Sequence, residues 1–197
     1  MKNEYLRQGR TAQKEKTRER ILQAAHRLQH KGGEFTLEKV AERAGISRAT
    51  IYRYYSNKDV LSAEAVLDMR TRSPEQILLD QKNGSLEEAF LGIQEYYNQL
   101  AQDNERAFRK YLSVLLDEDN QVNERGARRV RTLTGAMDKY EVPLSQEEKK
   151  KLVYMATLMM GIEALIVTRD VCRLDEIESK EVLKWGLNTL LKGAFHQ

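Results

Sequence analysis

The chain has 197 residues, of which 41% are hydrophobic and 32% are charged. This composition supports a buried core and is unlike that of disordered proteins. The net charge of +3 hides an asymmetry, because residues 1–58 hold 14 basic and 6 acidic residues, a net charge of +8, while the remainder carries −5. The basic N-terminal part therefore favours a polyanionic partner over charge that is merely solubilising.

The sequence gives little indication of a membrane or secreted protein. The most apolar stretch, residues 152–167, contains Glu163 and is shorter than the roughly 20 apolar residues that a spanning helix needs. No apolar run follows the basic residues near the N-terminus, so we expect no signal peptide. The single cysteine, Cys172, cannot form an intramolecular disulfide, which favours a reducing compartment. We expect a cytoplasmic protein with no membrane partner.

The N-terminal part predicts an arm followed by amphipathic helices. Before about residue 15 there is no apolar periodicity, and we expect a flexible basic arm. Apolar residues spaced i, i+3, i+4, i+7 then predict a helix over 15–31, ended by Gly32 and Gly33. The same spacing predicts a short second helix over 37–44, with Thr36 as its N-cap.

A tight turn joins this second helix to a third. Gly45 suits the left-handed conformation that ends many helices, and Ser47 is a good N-cap for a helix over 48–54. Two short helices joined by a tight glycine-containing turn are typical of a helix-turn-helix. The spacing of Ser56 and Asp59 is that of a capping box, so Ser56 is predicted to cap a fourth helix that ends near residue 72.

The rest of the chain predicts further helices. Capping signatures precede helices over 86–102, 146–172 and 176–195, and two more helices are predicted over 104–117 and 121–140. No segment has convincing strand periodicity. The predicted fold class is therefore all-α, with about nine helices.

The third helix combines the residue types that a DNA-reading helix needs. One face must be apolar to dock on the neighbouring helices, and the other must carry donors for base edges and phosphates. Ile46, Ile51 and Tyr55 can face inward. The residues left to face outward are Arg48, Thr50, Tyr52, Arg53 and Tyr54.

The N-terminal sequence resembles the TetR family of bacterial transcription regulators. The stretches TRERILQAA, FTLEKVAERAGIS and TIYRYYSNKDVL carry this resemblance, which covers roughly residues 15–65. It implies a helix-turn-helix DNA-binding domain with a basic arm over 1–58, followed by a helical regulatory and dimerisation domain over 59–197. The implied partners are a double-stranded DNA operator, a second copy of the chain and a small-molecule inducer of unknown identity.

The resemblance also implies roles for individual positions. Arg48 and Ala49 match base-reading positions, whereas Tyr54 and Lys58 match phosphate contacts. Tyr52 matches a phosphate contact that can also pack against a thymine methyl group. The residues expected at the DNA are Thr36, Ser47, Arg48, Ala49, Thr50, Tyr52, Arg53, Tyr54 and Lys58.

By the same resemblance, the C-terminal helices surround a regulatory cavity. Aromatic rings, methionines and one carboxylate suit a bulky apolar cation. Glu163 could be its counter-ion, or could instead pair with an arginine across a dimer or point to solvent. The expected ligand-binding residues are Tyr96, Tyr97, Phe108, Tyr111, Met137, Met159 and Glu163.

The family architecture further implies that the last two helices form a four-helix bundle with a partner subunit. A stripe with small residues on the last helix suits close helix approach, although an ordinary intrachain core is the alternative. The expected interface residues are Val182, Gly186, Thr189, Leu190 and Gly193.

These observations favour a repressor that a small molecule releases from DNA. The alternative is a nucleoid-associated or protein-regulated DNA-binding factor without an inducer. An enzyme is disfavoured because no glycine-rich phosphate loop and no nucleophile elbow is present. His26 and His30 have a metal-compatible i, i+4 spacing, but no third ligand accompanies them. We expect no catalytic residues, no cofactor and no metal.

Overall fold

The computed structural model describes residues 2–30, 35–81, 84–116 and 127–195. Within these ranges the chain forms eleven α-helices and one π-helical turn, with no strand, so the all-α prediction is confirmed. The count exceeds nine because α5 is an additional short helix and one predicted long helix is broken. The contacts divide the chain into two units: residues 1–70 with 106–124, and residues 71–105 with 125–197.

The first unit is built on a small helical core. Ile21, Val40, Ile51 and Leu61 are fully buried in it. Residues of α4 and α7 also pack on this core, so the grouping of contacts differs from the predicted boundary after residue 58. Its helices are α1 (Lys2–His30), α2 (Leu37–Ala44), α3 (Arg48–Tyr54), α4 (Lys58–Arg70) and, from Arg106 on, α7 (Glu105–Leu116).

The predicted flexible arm is wrong, because α1 begins at Lys2. The segment before residue 15 is polar, but it consists mainly of residues that tolerate a helix, and the single Gly9 weakens a helix by only about 1 kcal/mol. A lack of apolar periodicity therefore did not exclude a helix. The predicted helix end at Gly32 and Gly33 lies outside the described residues.

The second unit packs its helices around a larger apolar core. Phe90, Ile93, Leu133, Met160 and Leu187 are fully buried there. The predicted start of a helix at residue 121 lies outside the described residues. The helices of this unit are α5 (Pro74–Asp80), α6 (Leu86–Asp103), α8 (Arg128–Met137), α9 (Gln146–Leu158), α10 (Ile162–Ile166) and α11 (Glu176–Phe195), with a π-helical turn at Val167–Val171.

The predicted continuous helix over 146–172 is interrupted at Gly161. This glycine has φ 83° and ψ −167°, a conformation that is essentially restricted to glycine. The chain bends by 52° between α9 and the segment 162–171. Two buried amides of α6 bind the backbone at the break: Asn98 Oδ1 accepts from Gly161 N at 2.8 Å, and Gln94 Nε2 donates to Met159 O at 2.9 Å. The break is therefore held by polar partners distant in sequence.

Most of the predicted helix caps are present. Ser85 and Ser145 each form a reciprocal capping box, and Asp175 and Glu178 exchange the equivalent hydrogen bonds. The prediction of Ser56 as the cap of α4 is wrong. Asn57 caps this helix instead, since its Oδ1 accepts from the backbone N–H groups of the second and third helical residues.

Among the described residues, no single helix is long and apolar enough to cross a membrane. The bent pair formed by residues 146–158 and 162–171 reaches that length and hydropathy only when both parts are taken together.

Candidate nucleic-acid interface

The turn between α2 and α3 has the geometry that the sequence predicts. Thr36 Oγ1 accepts from Lys39 N at 3.2 Å, and Ser47 Oγ accepts from Thr50 N at 3.1 Å, so both residues cap their helices. Gly45 is left-handed, with φ 64° and ψ 42°, and its N–H donates to Glu42 O at 3.1 Å. These local bonds fix the direction in which α3 leaves the turn.

A side chain of α1 reinforces this turn. Arg20 Nη2 donates to Ala44 O at 2.5 Å and to Gly45 O at 3.3 Å. A positive charge at these carbonyl groups interacts favourably with the negative end of the α2 dipole. A Cβ on residue 45 would lie 3.1 Å from Arg20 Nη2, so a side chain there would crowd the contact as well as strain the backbone.

The inner face of α3 is anchored in the core. Ile51 is fully buried and Tyr55 is 2% exposed, as the sequence predicts. The Arg18 guanidinium lies 5.9 Å from the centre of the Tyr55 ring, and Arg18 Nε and Nη2 bond Glu64 Oε1 at 2.8 and 2.5 Å. Burial raises the pKa of Tyr55 well above its ordinary value, so its hydroxyl stays neutral. An ion pair between α1 and α4 therefore lies against the end of α3.

The outer face of α3 is polar and basic. Arg48, Ala49, Tyr52 and Arg53 are exposed, while Thr50 is half-buried. Beside this face, Ser47 and Lys58 are exposed, and Thr36 and Tyr54 are half-buried. The Tyr54 hydroxyl donates to the backbone carbonyl of Lys14 at 3.4 Å. The structure thus brings all nine predicted DNA-binding residues onto or beside the helix-turn-helix.

One residue of this surface, Glu38, was missed by the sequence analysis. Tyr52 Oη donates to Glu38 Oε1 at 2.5 Å, which joins the outer face of α3 to the first turn of α2. This hydrogen bond lowers the pKa of Glu38 and raises the pKa of Tyr52. The two residues lie on different helices, and helical periodicity within either one cannot indicate their contact.

A family model described as bacterial regulatory proteins, tetR family, matches residues 21–65, which run from the middle of α1 into α4. The chain therefore contains a DNA-binding domain of the TetR type. It is a DNA-binding transcriptional regulator, and regulators of the TetR family are generally non-enzymatic. Among curated proteins, none matches the chain.

The residues expected to bind a ligand fall into both units. Phe108 and Tyr111 belong to the first, where Tyr111 Oη donates to Glu64 Oε2 at 3.4 Å. The others belong to the second. There, Tyr96 Oη accepts from the backbone N–H of Arg72 at 2.7 Å.

Three more of these residues have structural contacts in the second unit. The Tyr97 hydroxyl is hydrogen-bonded to Thr132 Oγ1 at 2.9 Å, and burial raises the pKa of Tyr97. Met137 is buried in the core, and Met159 packs partly buried against it. These contacts account for the positions of the three side chains without a ligand, although they do not prevent a ligand from binding nearby.

Glu163 has a cationic partner within its own chain. Its Oε1 lies 3.0 Å from Arg129 Nη2, and Arg129 Nη1 donates to Met160 O at 2.5 Å. Arg129 therefore links α8 to both sides of the break at Gly161. A pairing with arginine was one of the alternatives for Glu163, although that arginine was expected on a partner subunit.

The predicted dimer stripe on α11 lies beside the buried side of the helix, and Leu190 packs against the core of the unit. Val182, Thr189 and Gly193 are exposed, whereas Gly186 and Leu190 are half-buried. The sequence analysis missed the larger apolar side chains that this unit leaves exposed. The exposed ones on α9, the π-helical turn and α11 are Tyr154, Met155, Leu158, Val167, Val171, Ile177 and Trp185.

Within the described part of the chain, no group of three or more His, Cys, Asp or Glu side chains is placed to hold a metal ion. His26 and His30 pack edge to face, with ring centres 4.4 Å apart.

Replacing Glu64 tests whether the ion pair beside α3 stabilises the first unit. Glu64→Gln removes the charge that faces Arg18, whose side chain is only 21% exposed, and should lower the free energy of unfolding by about 1–3 kcal/mol. Urea denaturation followed by circular dichroism measures this. Lys151→Gln, in the exposed pair with Glu147, is the control and should change stability by less than about 0.5 kcal/mol. Equal effects would contradict a structural role for the Arg18–Glu64 pair.

Proposed function

We propose that this regulator is a repressor that binds an inverted-repeat operator as a homodimer and is released by a small molecule. The observation that carries the proposal is the exposed polar and basic outer face of α3 within a TetR-family domain. An apolar surface on the second unit supports the dimer.

The outer face of α3 suits the major groove. Arg48, in the first helical turn, can donate two hydrogen bonds to the O6 and N7 atoms of guanine. Lys58 begins α4, where its exposed ammonium group suits a phosphate. The two residues therefore have different proposed roles, since one reads a base and the other holds the backbone.

Substituting these two residues separates the roles. Arg48→Ala should reduce operator affinity by about 1–3 kcal/mol and relax the preference at one base pair in each half-site. Lys58→Ala should weaken binding to every sequence and make it less dependent on salt. Fluorescence anisotropy titrations at several salt concentrations measure both effects. If both variants fold and bind the operator like the parent protein, the DNA-facing side is assigned wrongly.

The dimer is proposed from an apolar surface that the single chain leaves exposed. Leu158, Val171 and Trp185 expose 69%, 72% and 68% of their surfaces. Val182, Trp185 and Thr189 are spaced i, i+3, i+7, so they form one stripe of α11 opposite the buried Leu183 and Leu187. Exposed apolar side chains on one stripe of a helix are typical of an interface. A second copy of the chain is the proposed partner, because regulators of this family are typically dimers.

Introducing a charge at Trp185 tests this surface. Because Trp185 is largely exposed in one chain, Trp185→Glu should leave the fold intact but bury an unpaired carboxylate between two copies. Sedimentation velocity should show a monomer, and operator affinity should fall because a monomer holds only one half-site. Leu79→Glu, at an exposed leucine of α5, is the matched control and should remain a dimer. If the Trp185→Glu protein remains a dimer, this stripe of α11 is not part of the interface.

Release by a small molecule rests on the family resemblance and on the composition of the second unit. Tyr96, Tyr97, Met137 and Met159 remain the proposed ligand-contacting residues there. The alternative is a DNA-binding factor without an inducer. It would bind DNA in the same way and would differ only in having no response to a ligand. The Arg129 contact favours a structural role for Glu163, since a cationic ligand would have to compete with an existing ion pair.

The role of Glu163 can be tested without changing its shape. We expect Glu163→Gln to lower the melting temperature by a few degrees through the loss of the pair with Arg129. Release from the operator by cationic amphipathic compounds, compared between parent and variant, should be unchanged. A folded variant that binds the operator but no longer responds to a compound active on the parent would instead make Glu163 the ligand's counter-ion.

A further inference from the structure

The hydrogen bond between Tyr52 and Glu38 determines what the Tyr52 hydroxyl can offer to DNA. A phenol has one proton to donate, and an ionised carboxylate can only accept. The bond lowers the pKa of Glu38, so this carboxyl group is ionised at neutral pH and Tyr52 is the donor. Because the Tyr52 proton is donated to Glu38, the Tyr52 oxygen has only lone pairs to offer to a further partner.

The surroundings favour this orientation of the hydroxyl. Thr36 also contributes a hydrogen bond that lowers the pKa of Glu38, and the positive charge of Arg48 acts in the same direction. Arg48 and Tyr52 are spaced i, i+4 and therefore share a face of α3. Glu38 is half-buried and Tyr52 is 48% exposed, so the carboxylate lies beside the recognition surface while the phenol oxygen remains accessible.

An oxygen that can only accept is a poor partner for a phosphate. Phosphate oxygens are also acceptors, so a Tyr52 whose proton is bound to Glu38 has nothing to donate to them. The major-groove edges of adenine and cytosine carry amino donors, at N6 and N4. Donation to a carboxylate also strengthens the phenol oxygen as an acceptor.

We propose that Tyr52 and Glu38 form a base-reading pair in which Tyr52 accepts a hydrogen bond from the exocyclic amino group of adenine or cytosine, and Glu38 is the residue that positions it. This assignment rests on the proposed use of α3 at an operator. It differs from the phosphate contact that the family resemblance implies for Tyr52, and it gives Glu38 a role in specificity despite its negative charge beside a polyanion.

In vitro selection from a random duplex library tests the pair. The parent protein, Tyr52→Phe, Glu38→Ala and the double variant are each selected, and the enriched sequences are compared position by position. The parent should prefer adenine or cytosine over the other bases by about tenfold at one position of each half-site. Tyr52→Phe and Glu38→Ala should both reduce the base preference at that position. The double variant should reduce it no further, because the two residues act as one unit.

Two controls separate positioning from simple loss of charge. Glu42→Ala removes an exposed carboxylate one helical turn after Glu38 and should leave the base preference unchanged. Glu38→Gln keeps an oxygen that can accept from Tyr52, and it should restore the preference lost in Glu38→Ala. If Glu42→Ala flattens the same position, or Glu38→Gln restores nothing, the positioning role is overturned.

The remaining outcomes distinguish this inference from the proposed function. If the parent protein enriches no inverted repeat, the proposed operator binding fails. The other outcome is that the parent enriches an inverted repeat, but Tyr52→Phe weakens binding to all sequences equally and changes no base preference. Tyr52 then contacts a phosphate, so the base-reading pair is wrong while the proposed function stands.

Discussion

A seven-residue helix is too short to be stable alone in water, and α3 therefore depends on burial for its existence and its orientation. Ile51 and Tyr55 provide that burial on the inner face. The capped turn at Gly45 sets where the helix starts, and the Arg18–Glu64 pair closes the core beside its end. The side chains proposed to face DNA occupy the remaining positions of the helix, so their placement follows from the packing on the opposite side.

Two surfaces of different chemistry then divide the proposed function between the two units. The helix-turn-helix presents cations and hydrogen-bond donors, which suit a polyanion, and it lies in the part of the sequence that carries the excess positive charge. The outer side of α9 and α11 presents aliphatic and aromatic side chains, which suit another protein surface. The proposed operator binding needs both surfaces, because one recognition helix reads only one half-site.

The features that the sequence predicted well are local. The helix-turn-helix, its caps at Thr36 and Ser47 and its left-handed glycine each depend on residues within one or two turns of each other, and periodicity and capping rules describe such distances. The features that escaped prediction join residues far apart in sequence. The contact of Glu38 with Tyr52, the pair of Arg129 with Glu163 and the amide of Asn98 at the Gly161 break all connect different helices.

Predictions that did not rest on a periodic apolar pattern were less accurate in two places. Polar sequence before residue 15 suggested a flexible arm, yet the helix begins at Lys2, because polar residues other than glycine and proline sustain a helix readily. On α11, small residues drew attention to Gly186 and Gly193. Trp185 on the same helix is a larger exposed side chain, and only the structure shows that its own chain does not cover it.

The central claim is that two copies of this chain present two copies of α3 to one operator. Hydroxyl-radical footprinting of the selected operator tests it most directly, because it maps protection along both strands. Two protected clusters are expected on one side of the duplex, related by a dyad and separated by about one or more helical turns of roughly 10 base pairs. A single protected cluster without dyad symmetry would contradict the account.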